Sequence, residues 1–216
     1  MRFAALLALL PLAGHAQPRL TYSKYFKGSV PEYVAICVER SGATTYQEAK
    51  EDNNPIKIQL SDADTQELFS LAQKLDHFQR PLEAGLKVAN MGTKTFGFED
   101  GAEKHVIEFN YSQDTSAQAL LDWFERITET EGHFIRLDRS VHYDKLGVND
   151  VLLQLQITWD RKRLVVPEQF LPLLDRVAKN DSFLHIARER AAGLAEAIRK
   201  PQPAAQDKAQ AEKAKP

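Results

Sequence analysis

Thiols and imidazoles are the side chains that most readily do chemistry near neutral pH. This sequence holds one cysteine, Cys37, and six histidines, five of which (His77, His105, His133, His142 and His185) lie beyond an apolar N-terminal stretch. Cys37 with a histidine base would make the smallest thiol-nucleophile unit, and His105 is the histidine considered for that role. An unpaired cysteine is most often a small buried hydrophobe, so Cys37 is expected to be buried and inert. His105, on the apolar face of a strand, is expected to be a satisfied core side chain. One cysteine allows no intramolecular disulfide, so stability must come from a core.

Metal ligands on a helix stand three or four positions apart so that both face one ion. His133 and His142 stand nine apart, which at about 100° per residue puts them on opposite faces of a continuous helix. The zinc signature His-Glu-x-x-His, the phosphate loop, Gly-x-Gly-x-x-Gly and the Gly-x-Ser-x-Gly elbow do not occur. Asp62, Asp64, Gln66 and Glu67 alternate oxygens like the start of a calcium loop, without its glycine at the sixth place or its glutamate at the twelfth. Acidic residues in the first turn of a helix are already favoured by its dipole. Accordingly the sequence assigns no catalytic, cofactor-binding or metal-binding residue.

Asp160, Arg161, Lys162 and Arg163 beside Trp159 could hold a phosphate, but so short a run reads as a solvated helix end. A formal charge of −2 gives no field to attract nucleic acid or an anionic membrane. Asn110–Ser112 and Asn180–Ser182 match the glycosylation sequon by chance.

These residues are positioned by elements legible in the pattern. Arg2, the apolar run Phe3–Leu12 and small Gly14 and Ala16 form a signal peptide, residues 1–16, with cleavage expected between Ala16 and Gln17. Ten apolar residues fall short of the ~20 that span a bilayer, and no later segment is apolar enough, so the mature protein is expected to be periplasmic or secreted with no transmembrane segment. Residues 17–30 read as an entry segment. Tyr33–Arg40 and Thr44–Ala49 flank Ser41-Gly42 as a hairpin, with Cys37 opposite Tyr46 and Val38 opposite Thr45. Ile56, Ile58 and Leu60 alternate as a strand. Ser61 and Asp64 form a weak capping box for a helix from about Asp62 to His77. A second hairpin turns at Asp100-Gly101, placing Phe96 opposite His105, with His105, Ile107, Phe109 and Tyr111 on one face.

From residue 115 the period is helical. Thr115 and Gln118 fit a capping box for one long helix, Ser116 to about Leu146, with Gly147 at C′ and a kink allowed near Gly132. Leu120, Phe124, Ile127, Glu131, Phe134, Leu137 and Val141 form its stripe, broken only by Glu131. Asp122, Glu125, Glu129 and Arg136 should be solvated. Further helices carry Val151–Trp159, Phe170–Ala178 after Pro167, and Leu184–Ile198, with a turn at Asn180–Ser182. Residues 201–216 lack core-forming side chains and should be disordered.

The fold class is therefore α+β. Two hairpins and one strand form a small antiparallel sheet in 17–114, and a helical region in 115–200 packs on it. The last helix pair, with Leu173-Leu174, Val177-Ala178 and Ala191-Ala192, weakly resembles one HEAT repeat, and a single repeat implies no function. The layout as a whole resembles small exported bacterial proteins of unknown function. That likeness brings no active site with it; the lack of a catalytic motif, the modest charge and the aromatic residues on one expected sheet face lead to the expectation of a non-catalytic binding or interaction protein, with an unknown protein or a small apolar ligand as partner. The alternative is an extracytoplasmic enzyme using Cys37 with a histidine.

Overall fold

The computed structural model describes residues 17–200; the expected signal peptide and the C-terminal tail lie outside the described residues. The fold is α+β. Six antiparallel strands, β1 (Arg19–Tyr25), β2 (Tyr33–Glu39), β3 (Ala43–Gln47), β4 (Ile56–Gln59), β5 (Thr93–Asp100) and β6 (Glu103–Phe109), form one sheet in the order β4-β3-β2-β1-β5-β6. Helix α1 (Asp62–Lys74) leads from the β4 edge back toward the other half. Helices α2 (Thr115–Tyr143), α3 (Val148–Asp160), α4 (Leu171–Ala178) and α5 (His185–Arg199) follow β6.

The entry segment is a strand, one of the two central ones. β1 pairs with β2 on one side and β5 on the other over its whole length. Leu20 and Tyr22 point into the core, 0% and 2% exposed, while Thr21 and Ser23 alternate with them on the outer face. The expected five-stranded sheet is therefore six-stranded, and its two hairpins are joined through the N-terminus.

Both hairpin registers differ from expectation. In the first, Cys37 faces Thr45, Val38 faces Thr44 and Ile36 faces Tyr46. The turn has three residues, Arg40–Gly42, closed by Gly42 N–H donating to Glu39 O at 2.9 Å. Gly42 sits at φ +83, the left-handed position that ends such loops. A Cβ there would also strike the Leu60 carbonyl. One extra turn residue shifts the register by one. In the second hairpin Asp100 pairs with Glu103, so the turn is Gly101-Ala102, and His105 faces Phe98 rather than Phe96. Gly101 takes φ +59 at the first central position, where a type II′ turn takes glycine. This shift is of two residues, so every side chain keeps its expected face.

Ser61 caps α1, its hydroxyl accepting from Asp64 N–H at 3.1 Å. The helix stops at Lys74, short of His77, because Asp76, His77 and Phe78 all take positive φ. Such backbone costs roughly 1–2 kcal/mol per residue; burial of Phe78 (4% exposed) and stacking of His77 on Phe98 at 4.1 Å offset it. For α2 the cap is Asp114, which accepts from Ser116 and Ala117 N–H. Thr115 is the first helical residue instead of the cap, and Gln118 donates to Ser112 O. The helix runs unbroken through Gly132 and ends at Tyr143. Gly147 N-caps α3 at φ −74 rather than ending α2 in the left-handed region. A Cβ there would press on the Asp144 carboxylate, which would have to shift.

Two cores meet along α2. The sheet, α1 and the first half of α2 through Ile127 make one; Leu137, Val141 and α3–α5 make the other. Between them lies a polar seam of buried Thr130, Glu131 and His133. Glu129, expected to be solvated, accepts from Arg163 Nε at 2.8 Å and from the Thr158 hydroxyl at 3.3 Å. Arg163 also pairs with Asp122 at 2.9 Å. The basic run after Trp159 is thus a tie between α3 and α2 and not only a solvated end. Strict spacing along α2 could not reveal this, because the partner comes from 34 residues away.

Candidate functional site

Helices α1 and α2 pack on one face of the sheet, and Cys37, out of phase with the buried Ile36 and Val38, points to the other. It is half-buried there between its cross-strand neighbours Thr21 and Thr45, in a groove of about 240 Å³ that Ser23 and Thr95 also line. Burial pushes its thiol pKa upward, only partly opposed by the Arg19 charge, so the thiolate is disfavoured. His105 lies on the helix-facing side of β6, three strands away in the sheet order. Its nearest charged neighbour is Glu103 at 3.5 Å. His77 stacks on Phe98, also on the helix side. His133 is in the α2–α3 seam; His142 and His185 are on α2 and α5. The fold brings none of these histidines to Cys37.

In the seam, Arg136 Nη2 lies 3.1 Å from His133 Nδ1. Guanidinium only donates, so Nδ1 accepts and the proton sits on Nε2. Nε2–H donates to Thr158 Oγ1 at 2.8 Å, and that hydroxyl donates to Glu129. Burial, then the Arg136 charge, pulls the His133 pKa down. The chain Arg136–His133–Thr158–Glu129–Arg163 links α2 to α3 and to the turn that follows it. Among the described residues no three His, Cys, Asp or Glu side chains converge as a metal ligand set would.

The opposite end of the sheet has a different character. Lys24 and Lys94 face each other directly across β1 and β5, both on the helix side. Like charges in such a pair are destabilising. Lys94 is 5% exposed and follows the alternation Lys94, Phe96, Phe98 into the core face. Burial, then the Lys24 charge, lowers its pKa. Its ammonium donates to Asn110 O at 2.7 Å and Gly92 O at 3.4 Å, leaving one of three protons free. Beside the pair is a cavity of about 160 Å³ whose apolar wall is Phe109, Ala117, Leu121, Met91 and Tyr111, and which Glu125 also lines.

This cavity is shaped by an irregular strap, residues 79–92, held by Asn110. All four polar groups of Asn110 are engaged: its backbone N–H donates to Glu83 at 2.6 Å, its carbonyl accepts from Lys94, its Oδ1 accepts from Met91 N–H at 2.9 Å, and its Nδ2 donates to Ala89 O at 3.1 Å. Connections this long are usually functional or disordered, and this one is clasped. Asn110→Ala removes the two side-chain bonds, each worth about 1 kcal/mol net. Amide-exchange protection at Met91 should be lost while Phe96 in the ladder stays protected; retained protection at Met91 would show that another contact holds the strap.

Sequence reading missed Lys24, Lys94 and Asn110. The strand period could have marked Lys94, since a lysine in phase with Phe96 and Phe98 must face the core. Lys24 could be found only with β1. No helix among the described residues is long and apolar enough to cross a membrane. No protein-family model matches the chain, and no curated protein matches it.

Proposed function

We propose that this chain is a non-catalytic exported protein, periplasmic or secreted, that binds a small, largely apolar ligand at the strap end of its sheet. The reading rests on one observation: exposed apolar and aromatic side chains line the Lys94 cavity. Met91 of the strap and Tyr111 after β6 stand at it, 58% and 37% exposed, over a wall of Phe109, Ala117 and Leu121. Single exposed apolar residues need no explanation, whereas a collection around a cavity mouth does. Export is supported by Arg2, the run Phe3–Leu12 and the small residues Gly14 and Ala16.

Two measurements check the two halves. N-terminal sequencing of the protein recovered outside the cytoplasm should begin at Gln17; Met1 there would refute processing. The mature protein should melt at a higher temperature with millimolar 3-phenylpropan-1-ol, a neutral ring-sized probe. A ligand at a hundred times its Kd stabilises by about 2.7 kcal/mol. An unchanged Tm up to the solubility of the probe would overturn the ligand-binding half.

A further inference from the structure

We propose that Lys24 and Lys94 form an anion subsite, so that the ligand class is a compact carboxylic acid with a ring-sized apolar body. This rests on the cavity being a ligand site, and it adds the polar half of the recognition.

Four observations converge. The two ammonium groups are held on the same face by strand register rather than by flexible loops. Neither has a carboxylate within ion-pair distance among the described residues. Lys94 is almost wholly buried, and its two backbone acceptors leave one N–H unused. A like-charged pair beside a low-dielectric wall raises the energy of the empty site, and an anion between the two groups relieves it. The nearby acidic groups relieve it only in part. The charges of Glu125, which also lines the cavity, and of Glu83 reach Lys94, but the Glu83 carboxylate accepts from Asn110 N–H at 2.6 Å, Glu125 lies on the exposed side of α2, and neither is ion-paired with Lys24 or Lys94.

Size sets the rest of the ligand. An engineered apolar cavity of about 150 Å³ takes up benzene, so about 160 Å³ accepts one aromatic ring or a short branched chain. With the carboxylate between the lysines, the ring lies against Phe109 and Leu121, and Met91 and Tyr111 cover it. The acid gains a charge-assisted hydrogen bond from each lysine. An alcohol of the same shape gains only the apolar contacts.

The test is calorimetric titration of the mature protein at low salt with 3-phenylpropanoate and with 3-phenylpropan-1-ol. The acid should bind at least tenfold more tightly, and its affinity alone should fall with added salt. Lys94→Met should abolish the preference while leaving the alcohol bound. Lys24→Gln, at a half-exposed position tolerant of change, should reduce it several-fold and decides the matter if the Lys94 variant fails to fold. Equal binding of acid and alcohol, or full acid affinity in Lys24→Gln, would overturn the anion subsite while leaving the apolar-ligand reading in place. Binding of neither probe would overturn both.

Discussion

Phe124→Ala is expected to destabilise the protein by about 3–5 kcal/mol, the range for truncating a buried aromatic. Phe124 is 1% exposed. Its ring stacks on Tyr22 of β1 at 4.8 Å and 8°, and lies 5.8 Å from Phe96 of β5. It therefore touches the two strands that join the hairpins into one sheet. Few neighbours can collapse into the space, since Tyr22 and Phe96 are fixed by their ladders. Loss of this size would consume much of the roughly 5–15 kcal/mol that holds a typical domain together. Arg139→Ala, exposed on the same helix, should stay within about ±0.5 kcal/mol. Denaturant unfolding of both variants beside the wild type decides. If the two are equally mild, α2 is not docked on the sheet, and its stripe would be a surface for a partner.

The Tyr22 hydroxyl has no hydrogen-bond partner, and burial drives its pKa far above that of free tyrosine. Opening the cavity in Phe124→Ala should admit water to that hydroxyl. Its ionisation in an alkaline titration should then move toward the ordinary value near 10. A merely global loosening would instead move all buried tyrosines, Tyr46 included.

Local signals were legible wherever one segment sufficed to carry them. The Ser61 cap, the alternation Ile56–Leu60, the α2 stripe and the four-helix succession all follow from neighbours within a few residues. The missing strand shows the limit. Thr21, Ser23 and Lys24 look like linker residues because the outer face of the sheet is uncovered and Lys24 stands beside a cavity at the sheet's end; only pairing with β2 and β5, up to 80 positions away (Arg19 to Glu99), makes β1 a strand. The register errors have one cause each: in the first hairpin the length of the turn, in the second its position, one residue further along at Gly101-Ala102. Ser41-Gly42 and Arg40–Gly42 are both acceptable loops, and the choice between them is made by the fit of Thr44 and Tyr46 to the core.

The candidate site was harder still. Pattern reading looks for histidine, cysteine and carboxylate clusters, and the cavity uses lysine, asparagine and aromatic residues drawn from β1, β5, β6, the strap and α2. Asn110 carried a sequon match, which concealed its role as a clasp. Glu131 is the opposite case. As the one break in an otherwise apolar stripe it was visible in the sequence, and its consequence is energetic.

Glu131 is 0% exposed, and burial lifts its pKa to about 7. Its Oε1 accepts from Gln169 at 3.0 Å, a smaller effect in the opposite direction, and its Oε2 has no partner. In the unfolded chain a glutamate titrates near 4.3. Below that pH both states hold the proton and the group costs nothing through ionisation. Between about 4.5 and 7 the unfolded chain releases its proton while the folded one keeps it, so stability falls as pH rises. Above 7 both are ionised, and the full cost of a buried carboxylate remains. The span of two to three pKa units corresponds to about 3 kcal/mol at 1.36 kcal/mol per unit. Glu131→Gln removes this slope, since an amide does not titrate. The variant should therefore gain on the wild type progressively from pH 4.5 to pH 8, ending about 3 kcal/mol ahead of its own standing at pH 4.5. His133 has a pKa lowered by burial, so it costs stability as pH falls below its unfolded value near 6.5. That slope is common to both proteins and cancels in the difference. Urea unfolding at four or five pH values measures it. A difference that stays flat across the window would mean that water reaches Oε2 and the two cores are parted at the seam. A difference that grows would identify Glu131 as a cost that the junction carries at neutral pH.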